Sequence, residues 1–212
     1  MSGGGLHTRL AVGAGAASLV VADVATLGFI TLGFEMIASR ILTPLFGGDI
    51  YTWATIISIV VAGLMAGYFI GGIAADRSPT LAFAAGIKLT AAAYIIFVWS
   101  LTGGGLEAFL SGIPDDTTAR FIGGAIVCFP PLVILGMYSP LAVRLLLRDP
   151  DDAGTISGGL FAISSAGNIA GTLVTTFVLI PSIGTRAITG GFAAFLVFSG
   201  LISLAAWLSR RT

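Results

Sequence analysis

The chain has 212 residues, 56% of them hydrophobic and only 9% charged, with a formal net charge of zero. A mean hydropathy of +1.03 excludes an ordinary soluble globule, and the balanced charge offers no basic tract for nucleic acid. One cysteine, Cys128, and one histidine, His7, do not supply a zinc centre, which wants three or four converging ligands.

A hydrocarbon core about 30 Å thick needs roughly 20 apolar residues per helix. Runs of that length cover residues 10–33, 51–74, 81–101, 121–147, 156–180 and 187–208. They predict an all-α polytopic membrane protein with six transmembrane helices over residues 10–208. A short N-terminus (1–9) and C-terminus (209–212) flank them. The first run is too long for a signal-peptide core and reads as a retained helix. With nearly every residue used by the spans, no room is left for a soluble catalytic domain.

In chain order, Thr43-Pro44 and Gly47-Gly48 are expected to break the chain after the first helix. Tyr51 and Trp53 then sit where an interfacial aromatic belt belongs. The second run carries Gly63, Gly67 and Gly71 at a four-residue spacing. In lipid such stripes let backbones approach closely, within one chain or across a dimer. Ser78-Pro79 opens the third run, and a long Gly-rich connection over 102–120 reads as a flexible outer loop. Gly103-Gly104-Gly105 with Glu107 lies between spans, without the strand a nucleotide-binding glycine loop requires. Pro130-Pro131 should bend or break the fourth run. Asp149-Pro150-Asp151-Asp152 separates the fourth from the fifth, where Gly158, Ala162, Ala166 and Ala170 form a second small-residue stripe beside Gly167 and Gly171. Ser164 and Ser165 have no nearby histidine, and no catalytic constellation or cofactor motif is visible.

Lys and Arg in alternate gaps set the orientation. Arg9, Arg77, Arg144, Arg148, Arg210 and Arg211 fall on one side, and Arg40, Arg120 and Arg186 on the other. That bias places both termini in the cytoplasm of a multi-pass cell-membrane protein.

Three polar residues lie deep in apolar runs: Asp23, Lys88 and Asn168. At 1.5 Å per residue they sit roughly 14–18 Å from the cytoplasmic ends of their helices. A lone charge there costs at least about 2.5–3.5 kcal/mol, which an inward-facing Asp23–Lys88 pair would offset. The pair is either a structural lock on helix register or a cation site in which a substrate amine displaces Lys88. Glu35 and Arg40, near the outer end of the first helix and five residues apart, fit poorly as a same-face pair, so each is expected to find a partner on another helix or in the headgroup zone.

Beyond these readings, Glu35, Arg40, Pro44, Gly47, Tyr51 and Trp53, running on into Gly63, Gly67, Tyr68, Gly71, Gly72, Asp76 and Arg77, form a pattern. Leu135-Gly136, Pro140 and Arg144 follow, then Gly158 to Gly171 with its Ser164-Ser165-Ala166-Gly167-Asn168 core, and Pro181, Gly184, Thr185 and Arg186. Over residues 28–190 this resembles the membrane part of the fused major facilitator/spermidine synthase proteins. Gly72, Asp76 and Arg77 are also similar to the start of the loop motif between the second and third helices of major facilitator transporters, although Ser78-Pro79 replaces its continuation. The resemblance implies one half of a major facilitator fold, working as a homo-oligomer or with a separate half. It also implies a link to polyamine chemistry, through a soluble aminopropyltransferase-like (spermidine synthase-like) partner. Depth and charge then select Asp23, Glu35 and Asn168 to contact a cationic substrate with Lys88 as the displaceable counter-ion, and Arg40, Asp76, Arg77 and Arg144 are expected as structural or gating groups. The alternative is a non-transporting anchor for such an enzyme.

Overall fold

The computed structural model describes residues 14–102, 104–147 and 149–210. The N-terminal segment, the first residues of the first run, Gly103, Arg148 and Arg211 lie outside the described residues. The described chain is helical throughout: α1 (Ala14–Phe46), α2 (Ile50–Arg77), α3 (Leu81–Leu101), α4 (Gly105–Leu110), α5 (Asp116–Gly136), α6 (Tyr138–Leu146), α7 (Ala153–Val174) and α8 (Ile180–Leu208). One 3₁₀ turn, Pro150–Asp152, precedes α7, and a π segment, Thr175–Leu179, joins α7 to α8.

Among the described residues, five helical segments are long and apolar enough to cross a membrane: Gly15–Phe46, Ile50–Arg77, Leu81–Leu101, Asp116–Leu146 and Pro150–Leu208. The last has 59 residues, about 88 Å at helical rise against a hydrocarbon thickness of about 30 Å. It is interrupted at Gly184, whose φ of 76° and ψ of 158° are not helical. That conformation belongs to a region essentially restricted to glycine.

Local chemistry explains the boundaries. Asp49 caps α2 by accepting from the Thr52 amide at 2.8 Å, and Thr80 caps α3 by accepting from the Phe83 amide at 3.1 Å. The first helix runs further than its hydropathy predicts. Pro44 is carried in its last turn, and Gly47, at φ 80°, ends it. Glu35 and Arg40 lie within the outer part of α1, as expected. In the 102–120 connection, α4 and the first turns of α5 take the place of an irregular loop.

Pro130-Pro131 sits inside α5, and the helix breaks instead at Met137. Proline at 130 removes the amide that would bond the Ile126 carbonyl, and the Tyr94 hydroxyl donates to that carbonyl at 2.9 Å. The freed group therefore faces protein, as backbone at membrane depth requires.

Packing is organised in pairs: α1 against α7, α2 against α5, and α3 against α8, with further contacts of α1 with α5 and α8 and of α3 with α5. Glycine makes two of these possible. A Cβ on Gly67 would meet the Val133 carbonyl, and one on Gly71 would come within 2.5 Å of the Met137 Cα. Cβ atoms on Gly167 and Gly171 would collide with the carbonyls of Ala25 and Phe29. The α2 stripe and the Gly167–Gly171 pair are thus intramolecular contacts. Gly158, Ala162, Ala166 and Ala170 remain exposed.

Because Asp23 meets Ser199 while Arg40 shares a pocket with Arg186, α8 runs antiparallel to α1. The start of α1 and the end of α8 share one end of the bundle, here called the terminal end. Gly47, Gly104 and Gly184, the three described glycines with positive φ, lie at the far end. Large apolar side chains such as Met65, Phe69, Phe177 and Phe198 are exposed around the outside, which suits lipid contact.

Candidate functional site

Asp23 on α1 and Lys88 on α3 meet, as their depths predict. Nζ lies 2.6 Å from Oδ2, and the residues are 4% and 0% exposed. Hydropathy and depth did not point to the residues that surround them. Lys88 donates also to Ser199 Oγ at 3.0 Å and Ser203 Oγ at 2.6 Å, while Ser199 donates to Asp23 Oδ1 at 2.7 Å. Tyr138, the first residue of α6, donates to Asp23 Oδ2 at 2.8 Å. An ammonium has three donors and no acceptor, so every proton on Lys88 is used. Ser199 and Ser203 are one turn apart on α8, which is why both hydroxyls reach one ammonium. That spacing is the only signal the sequence carried for them.

Asn168 does not join this cluster. Its Oδ1 is buried and unpartnered, 3.3 Å from where a Cβ on Gly28 would stand. It lines a polar cavity of about 30 Å³ with Thr31, Tyr68, Tyr138, Ser139 and Ser164. That is space for a water molecule. The cavity reaches from Tyr138, on the Asp23 side, to Thr31, one helical turn short of Glu35.

Glu35 is 9% exposed, and among the described residues it has neither a hydrogen bond nor an ion pair. Arg40 also lacks an ionic partner among the described residues, so neither group pairs with another helix here, which leaves the headgroup zone as the other expected setting. Twelve residues separate Glu35 from Asp23, about 18 Å along the helix. The expected four-residue site is therefore two places: a closed ion pair, and a lone carboxyl beyond a polar cavity.

The remaining candidates are peripheral. Arg144 Nε lies 2.8 Å from Asp76 Oδ1, tying α6 to α2, with both side chains largely exposed. Arg77 is exposed at the end of α2. At the far end Arg120 pairs with Asp49 at 3.2 Å. Asp49 is held below its ordinary value of 3.8, first by the Thr52 amide and also by Arg120. Asp115, which caps α5, is likewise lowered by its bonds to Thr118. Among the described residues no group of three or more His, Cys, Asp or Glu could hold a metal ion.

Comparison with family models, with curated proteins and with solved structures finds no match.

Proposed function

We propose that this chain is a six-span, half-transporter-like membrane protein that binds and moves a small cation, polyamine-like in class, with Glu35 as the accepting carboxylate. The observation that carries the reading is the contrast between two buried acids. Asp23 has three donors on it, and Glu35 has none. A carboxylate left unpaired inside a membrane bundle is costly, so Glu35 holds either a proton or a visiting cation. Asn168 and the cavity polar groups supply neutral acceptors on the way to it. Asp23 and Lys88, whose bonding capacity is already committed, act as the lock that holds α1, α3, α6 and α8 together.

The packing supports the half-transporter architecture. Counting Gly184 as the joint between a fifth and a sixth span, exchange the first span with the fourth, the second with the fifth, and the third with the sixth. The α1–α7 contact then becomes α5–α2, α3–α5 becomes α8–α1, and α3–α8 maps onto itself. Both glycine stripes fall on equivalent helices. This is the pattern of an inverted-topology repeat, the unit from which major facilitator halves are built. A second half would come from another copy or a separate chain. The argument for cytoplasmic termini and for a cell-membrane location remains the arginine bias.

The test is uptake and binding of spermidine by the protein in proteoliposomes. Glu35→Gln is expected to abolish both while leaving the fold intact. Wild-type uptake in that variant would end the proposal.

One observation favours the anchor reading instead. The deepest charges are mutually satisfied, and the exposed Asp149, Asp151 and Asp152 follow α6, whose last turn carries the Arg144 that pairs with Asp76. Co-purification of a soluble aminopropyltransferase-like enzyme, lost on neutralising these aspartates, would select it over transport.

A further inference from the structure

A pocket of about 270 Å³ opens at the far end, between the last turns of α1 and α3, the short α4 and the first turn of α8 after Gly184. It is separate from Glu35 and from the Asp23–Lys88 network, so its chemistry is independent of the transport reading. Two arginines line it, Arg40 and Arg186, with a single acid, Glu107. Neither guanidinium has a carboxylate within ion-pair distance among the described residues. Arg120, at the same end, is by contrast paired through its terminal nitrogens, with only Nε left without a partner. It donates to both carboxylate oxygens of Asp49 and to the Phe46 carbonyl.

Arg186 is nevertheless held in place. Its guanidinium lies over the Trp99 ring, 4.4 Å from the centroid, and the Trp99 indole N–H donates to the Arg186 carbonyl at 3.2 Å. No hydrogen bond or ion pair among the described residues uses the Arg186 guanidinium, so its N–H fork is available to a two-oxygen anion. The lining has a net charge of +1 from Arg40, Arg186 and Glu107. Its wall includes Ile41, Leu45 and Leu101, an apolar surface fit for the glycerol and first methylenes of a lipid.

We propose that this pocket binds a phosphate-type oxyanion between Arg40 and Arg186, carried on a phospholipid headgroup or free in solution. Glu107 opposes the anion and limits its affinity.

The test uses the full chain, delipidated in a neutral detergent and titrated separately with phosphatidylglycerol and with inorganic phosphate. Binding is followed by native mass spectrometry and by the melting temperature. Saturable binding of at least one probe is expected. Arg40→Gln and Arg186→Gln should each weaken it roughly tenfold, the scale of one charge-assisted contact. Glu107→Gln should tighten phosphate binding, and Arg120→Gln should leave affinity within about twofold of wild type. Saturation by the lipid alone assigns the headgroup, and saturation by both assigns the free anion; each supports the site. The Arg40→Lys/Arg186→Lys protein guards against misfolded glutamine variants. It keeps both charges but loses the forks, and its affinity should fall. Absence of saturable binding by either probe overturns the proposal. So does equal weakening by Arg120→Gln, or unchanged affinity in the double lysine protein.

Discussion

The two halves of α1 treat ionisable groups in opposite ways. Toward the terminal end, Asp23 is surrounded by a lysine, a serine and a tyrosine that together use its acceptors, and the charge is closed off from water. Toward the far end, Glu35 is buried without a hydrogen-bonding partner and Arg40 opens into a pocket. The same helix therefore contains a region whose ionisable group fixes structure and one whose ionisable groups have no ion-pair partner among the described residues. Where every donor is committed, a ligand must first break buried bonds whose loss is strongly unfavourable. Where none is committed, it can bind directly.

The sharpest way to break that contrast is to remove one member of the closed pair. Lys88→Ala leaves Asp23 buried and uncompensated, and should destabilise the protein by about 3–5 kcal/mol in a reversible unfolding titration. Asp23→Asn combined with Lys88→Met should cost much less than the two single changes together. A double variant as unstable as their sum would mean the residues do not act as one lock.

A smaller effect is expected at the glycine contact that seats α7 on this same helix. Gly167→Val drives a side chain into the Ala25 carbonyl and should cost about 3 kcal/mol. Ala166→Val, on the exposed face one residue earlier, should change the melting temperature little. Equal losses would show that the exposed stripe is also covered. Next comes Tyr94→Phe, which deprives the Ile126 carbonyl of the hydroxyl that bonds it across the Pro130 gap; about 1 kcal/mol is expected, read from thermal melting.

The smallest effect concerns pH. Asp49 is held below 3.8 in the folded protein, so its cap and ion pair contribute fully above that value. The contribution is lost as pH falls through the lower, folded value. Melting temperatures measured from pH 5 down to pH 3 should therefore decline less steeply for Asp49→Asn than for wild type. Parallel curves would show that Asp49 does not contribute.

How much of this could be read from the residues differs by element. The third helix has the bounds its hydropathy predicts, and the Asp23–Lys88 pairing follows from depth alone. The companions Tyr138, Ser199 and Ser203 do not, because hydroxyls in apolar helices commonly bond back to their own backbone. Thr31, Thr43 and Thr189 do so here. Hydropathy falls off near Gly33, but helicity depends on backbone bonding and continues to Phe46, so Glu35's place on the first helix was legible while its lack of a bonding partner was not. The proline pair announces two missing donors without saying where the helix will turn. That is settled at Met137, after which α6 begins with Tyr138 bonded to Asp23.

Gly184 has one more consequence. A single residue spans only about 3.5 Å, so the two arms of the Pro150–Leu208 segment meet at a joint with almost no slack. One arm rests on α1 and the other on α3. Any swing of one helical pair relative to the other must rotate the backbone at that one position, and a side chain added there would strain the conformation that joins the two arms.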